Sequence, residues 1–286
     1  MQRKLILSFL IFIGFIGSAY FITYNRVKKE AMKLPDNSPS ICSTPNNALP
    51  RVVLVGDSIT HGKVSANYVS ILENNFQNQY QFINAGINSN LAYNVLQRLD
   101  EIIQCKPTFI TILIGTNDVN STLNTKNQSR YISDMNLPRT PDLNWYEENL
   151  RKIIERLQKE TSAKIAVLSL PVIGEDLNST ANQRVKTYSA VVKILANEYN
   201  IKYLPLNEKQ NEFLAKQDNI SQSCESNSDN LMITAIASHF LFKKSWDEIS
   251  ETNKFKLVTD CLHFNHLGAS FISDLIADFL KKSPSK

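Results

Sequence analysis

Ser58 stands at the end of the apolar run Arg51-Val52-Val53-Leu54-Val55, directly after Gly56-Asp57. A buried strand that exits sharply through glycine leaves a hydroxyl at the rim of a sheet, near the start of the next helix, where backbone N–H groups face outward. Taken alone, such a serine is equally a helix N-cap. Four further residues give it chemistry. Asp260 and His263 lie on one short stretch and can address a hydroxyl from the same side, the histidine as base and the carboxylate as its orienter. Asn117, within Gly115-Thr116-Asn117-Asp118, offers a side-chain N–H, and Gly86, lacking a Cβ, lets its backbone come close. Together they supply a nucleophile, a base, an orienter and donors for an oxyanion, the set that attack on a carboxylic ester requires. His61 and His239 have no acidic neighbour at matching spacing, and His266 reads as a surface or capping residue. Asp57 reads as a local stabiliser of its turn. The segment Gly56-Asp57-Ser58-Ile59-Thr60 lacks the last glycine of GxSxG, which disfavours an α/β-hydrolase elbow.

The elements that must position these residues alternate. Apolar runs predict strands over 51–55, 81–84, 108–114, 164–170 and 202–204, and amphipathic periodicity predicts helices over 64–76, 90–104, 144–160, 180–199 and 266–281. The pattern implies one α/β domain with a mostly parallel sheet covered on both faces. Ligand sites in such sheets form beyond the carboxyl ends of the strands. The loops holding Ser58, Gly86 and Asn117 all fall there.

The blocks Gly56-Asp57-Ser58-Ile59-Thr60, Gly86, Gly115-Thr116-Asn117-Asp118 and Asp260-xx-His263 resemble, in order and spacing, the four signature blocks of the SGNH, or GDSL, hydrolase superfamily. The resemblance spans residues 51–281. It implies a flavodoxin-like three-layer α/β/α sandwich with five parallel strands. It also implies a triad of Ser58, Asp260 and His263, and an oxyanion hole from the Ser58 N–H, the Gly86 N–H and the Asn117 side chain. No metal or organic cofactor is expected. The activity implied is that of a serine esterase or acylhydrolase on an acyl lipid or an O-acetylated glycan. Acyl transfer to a cell-envelope hydroxyl, and a non-catalytic glycan-binding domain, are the alternatives.

Ahead of the domain, residues 5–24 run without a charge for a length that crosses a bilayer at helical rise. Segment 1–24 is therefore expected to enter a membrane, as a cleaved signal peptide or as a retained anchor closed by Tyr20, Tyr24 and a basic flank. The short basic N-tail favours a domain outside the cytoplasm, membrane-anchored or secreted, whereas the slight excess of basic residues after the span argues for a cytoplasmic one. Residues 25–50, polar and holding Pro35, Pro39, Pro45 and Pro50, read as a tether, and the domain occupies 51–286. The net charge of +4 comes from residues 1–33, where six basic side chains face Glu30 alone, so no basic face supports nucleic-acid binding. The four cysteines, Cys42, Cys105, Cys224 and Cys261, lack zinc or dithiol spacing and allow one or two disulfides in three pairings. Two insertions bear on substrate. Residues 119–143 follow Asn117 and are expected to overhang the site, while 207–256 carry the apolar stretch Leu231 to Phe242, read first as a helix packed on the main core and second as a lid or an acyl-chain pocket.

Overall fold

A strand such as Val52-Val53-Leu54-Val55 has no polar face, so a sheet built on it must be covered on both sides. The computed structural model, which describes residues 23–43, 49–218, 220 and 224–282, shows that covering. Five parallel strands, β1 (Arg51–Gly56), β2 (Gln81–Gly86), β3 (Phe109–Leu113), β4 (Lys164–Leu168) and β5 (Lys202–Leu204), stand in the order β2-β1-β3-β4-β5. Val52 and Leu54 enter one buried layer, under α3 (Tyr68–Asn75), α10 (Leu206–Leu214) and α13 (His266–Lys282). Val53 and Val55 enter the other, under α4 (Ala92–Gln97), α5 (Leu99–Gln104), α8 (Leu143–Glu160) and α9 (Thr180–Glu198). The strand order reverses at β1, so the crevice beyond its carboxyl end is the topological switch point. Ser58 opens α2 (Ser58–His61) at that point.

Helix starts follow capping chemistry. Asp142 accepts the Trp145 N–H at 2.7 Å to begin α8, and Asn67 accepts those of Val69 and Ser70 at 3.0 and 3.2 Å, which delays α3 to Tyr68. The single helix expected over 90–104 is broken at Arg98. Its guanidinium turns inward to the carbonyls of Gly56 and Ala85, at 3.1 and 2.8 Å, so one side chain satisfies the ends of β1 and β2.

Residues expected to form a free tether are held. Helix α1 (residues 23–32) is bonded through the Ala31 carbonyl to Asn88 Nδ2 at 2.9 Å, and the Asn37 carbonyl accepts the Asn84 N–H at 2.9 Å. A disulfide then joins Cys42 to Cys105. Composition alone reveals none of these attachments. The second disulfide, Cys224–Cys261, joins the start of α11 (Cys224–Phe242) to the residue after Asp260. The insertions fold into α6 (Thr116–Ser121) and α7 (Thr125–Asp134), and into α10, α11 and α12 (Trp246–Thr252). The apolar run expected to enter a membrane lies, up to residue 22, outside the described residues, among which no helix is long and apolar enough to cross one.

Candidate active site

Asp57 caps α2 by accepting the Ile59 N–H at 3.0 Å, and this turn presents the Ser58 hydroxyl to the crevice. His263 Nε2 lies 3.0 Å from Ser58 Oγ, and its Nδ1 lies 2.8 Å from Asp260 Oδ2. The other Asp260 oxygen accepts the backbone N–H groups of Cys261, Leu262 and His263 at 2.6, 2.8 and 2.9 Å. An ionised carboxylate only accepts, so Nδ1 is the donor to Asp260 and Nε2 is left to accept the Ser58 proton. Burial alone would disfavour the imidazolium, but the charge and hydrogen bond of Asp260 outweigh it, and the His263 pKa sits above its ordinary value. Burial likewise works against the Asp260 carboxylate, and the His263 ring with the backbone N–H groups of His263 and Leu262 still pulls its pKa down.

The loop carrying this pair is stitched down on both sides. Buried Glu175 accepts the N–H groups of Lys256, Leu257 and Val258 at 2.7, 2.6 and 3.2 Å, and Ser65 Oγ accepts that of Phe264 at 3.0 Å. Neither residue carries a sequence signal, because each acts across a long stretch of chain.

Asn117 joins the cluster from the first turn of α6. Its Nδ2 donates to the Asn90 carbonyl at 3.0 Å and stands a long 3.4 Å from Asp57 Oδ2, which leaves its second N–H loosely engaged. The amide cannot flip freely, because the Tyr131 hydroxyl donates to Asn117 Oδ1 at 2.6 Å. Asn120 Nδ2 donates to that hydroxyl at 3.1 Å, and Asn127 Nδ2 to Asn120 Oδ1 at 2.9 Å. The stretch expected to overhang the site thus also braces it from behind. Burial pushes the Asp57 carboxyl up to about 6 and the Tyr131 phenol up to about 12.

Gly86 does not take the place expected for it. Its N–H donates to Asn84 Oδ1 at 3.0 Å, and a Cβ there would stand 2.2 Å from the His61 nitrogen, so the glycine serves close packing of β2 on α2. The residue of this loop that borders the crevice lies three positions on. Ser89, held at φ +63°, borders the cleft with Ser58, Asn117 and His263. A serine in the left-handed region is uncommon, and no pattern of residue types announces it.

The Ser58 and His263 side chains form the floor of a cleft of about 430 Å³. Its walls are α1 and α11. Beside it lies a more polar hollow of about 430 Å³ bordered by Asn124, Arg130 and Ser179.

The model of the GDSL-like Lipase/Acylhydrolase family matches residues 54–269. The chain belongs to that family. It is an SGNH-type ester hydrolase. Among solved structures, this GDSL-like chain is similar to an acetyl xylan esterase, AlAXEase, with TM-score 0.58 and 20% identity over 80% of this chain and 99% of that one. It is similar to the acetylxylan esterase Axe2 of Geobacillus stearothermophilus, with TM-score 0.57 and 19% identity over 83% and 95%. It is also similar to a lipase/acylhydrolase of Enterococcus faecalis, with TM-score 0.55 and 20% identity over 83% and 100%. At such identities the likeness is one of fold. No curated protein matches the chain in sequence.

Proposed function

We propose that the protein cleaves carboxylic esters through Ser58, His263 and Asp260. The observation that carries this reading is the unbroken hydrogen-bonded path from Ser58 Oγ through His263 to Asp260 at the floor of an open cleft. His263 takes the Ser58 proton as Oγ attacks the ester carbonyl, and the same proton goes to the departing alcohol. Water activated by His263 then releases the acid from the acyl-enzyme. The oxyanion is received by the Ser58 N–H at the start of α2, by the second N–H of Asn117 and by the N–H of Ser89, which replaces Gly86 in this role. No metal is needed for these steps.

The substrate class we favour is an acyl lipid over an O-acetylated glycan, supported by the apolar walls contributed by α1 and α11. Acetylated glycan remains the second reading, favoured by the polar hollow next to the cleft and by the two acetylxylan esterases that share the fold. The two disulfides fit a domain outside the cytoplasm, and the uncharged run 5–24 fits attachment to a membrane or export across it. Labelling with a fluorophosphonate, together with hydrolysis of p-nitrophenyl acetate, tests the chemistry. An adduct on wild type that is absent from Ser58→Ala is expected; labelling that survives the substitution rejects Ser58 as the nucleophile.

A further inference from the structure

Helix α1 presents Tyr24, Val27 and Ala31 along one side, at the spacing of successive helical turns, and this side borders the cleft. Across from it α11 presents Met232, Ile236 and Leu241. Apolar faces of two helices normally close on each other. Here both border one cleft that also holds Ser58 and His263, and Ile233 and Tyr24 remain 62% and 53% exposed. A cleft lined mainly by apolar side chains, with Lys28 and Arg130 among its polar residues, and with an acyl-transfer serine in it suits an occupant that is mostly apolar along its length and carries an ester carbonyl at one end. That describes a long-chain acyl group. Helix α1 also holds the last two residues of the uncharged run 5–24, Thr23 and Tyr24, and both border the cleft.

We infer that α1 and α11 are the two walls of an acyl-chain site, so that half of the specificity pocket is supplied by residues ahead of the hydrolase domain. The inference rests on Ser58 being the nucleophile. Each methylene drawn into such a groove raises kcat/KM about fourfold until the walls end. An acetyl group touches neither wall beyond its base.

The full chain in detergent micelles, with p-nitrophenyl acetate and octanoate as substrates, gives the first measurement. Octanoate is expected to exceed acetate in kcat/KM, and the octanoate-to-acetate ratio is expected to fall at least tenfold in Val27→Asp and in Ile236→Asp. The second measurement is free of turnover: binding of the fluorescent fatty acid cis-parinaric acid, carried out on the Ser58→Ala chain with and without each wall substitution. At least tenfold weaker binding is expected for either wall. An acetate preference in wild type, or parinaric acid binding indifferent to Val27→Asp, overturns the inference for α1. If Ser58→Ala retains esterase activity, the nucleophile assignment fails separately, while the parinaric acid comparison still decides whether the groove takes an acyl chain. Val27→Thr, close to the native side chain in shape, keeps α1 testable by the same two measurements should Val27→Asp fail to fold, a smaller fall in the octanoate-to-acetate ratio and weaker parinaric acid binding being expected and no change in either overturning the inference for α1.

Discussion

At the floor of the cleft all four side-chain polar atoms of Asp260 and His263 are hydrogen-bonded, and the loop that bears them is pinned by Glu175 and Ser65. Along its walls, α1 is fastened near its end by a bond from Asn88 to Ala31, and Ile233 on α11 stays mostly in solvent. The floor is closed by its own hydrogen bonds; the walls keep apolar surface open. Bonded polar groups fix where charge develops, which sets turnover. Unfilled apolar surface sets what is held while that happens. Substitutions in the floor should therefore slow all acyl lengths alike, and substitutions in the walls should change their ranking.

Ser58→Ala offers the strongest way to break this division, with an expected loss of about a million-fold in kcat on acetate and octanoate together. Asp260→Asn should cost about ten-thousand-fold, and it carries a pH signature. Hydrolysis needs neutral His263, whose pKa is raised above the ordinary 6.5, so wild-type kcat/KM should fall as pH drops through that raised value. Removing the Asp260 charge takes away what holds the pKa up, and the acid limb should move to lower pH; an unmoved limb detaches Asp260 from His263. Asn117→Ala should lower kcat by about a hundredfold or more with KM nearly constant. An effect confined to KM would make Asn117 part of a wall and not of the floor. Tyr131→Phe keeps the ring and removes one hydrogen bond to Asn117 Oδ1, worth about fivefold. The loss should appear in kcat, because the hydroxyl aims the amide and does not hold substrate.

The smallest effects separate the two backbone positions beyond β2. Gly86→Ala drives a Cβ into the His61 backbone and should destabilise the fold in urea titration. Ser89→Gly, at φ +63°, should be tolerated within about 1 kcal/mol, since the glycine relieves left-handed strain but frees the unfolded chain. Equal destabilisation by both would remove the distinction.

Ser58, Asn117, Asp260 and His263 are legible in the sequence because few residue types can do their chemistry and each lies on a short loop after an apolar run or before the last helix. The parallel sheet covered on both faces follows from the same alternation of strands and helices. Ser89 is hidden because its qualification is a backbone angle. Tyr131 and Glu175 are hidden because their partners are set by folding: Tyr131 reaches Asn117 across fourteen residues and Glu175 reaches Lys256 across eighty-one. Helix α1 is hidden for another reason: its basic side chains and the prolines that follow it resemble a solvated linker, and the few apolar residues on its cleft side count for little in composition.

The Cys224–Cys261 bond closes a covalent ring that contains α11, α12 and the approach to Asp260. The first residue of α11 is thereby tied covalently to the residue next to Asp260. On the opposite side of the cleft no disulfide reaches α1 itself, which is held to the segment after β2 by the hydrogen bond from Asn88 to the Ala31 carbonyl.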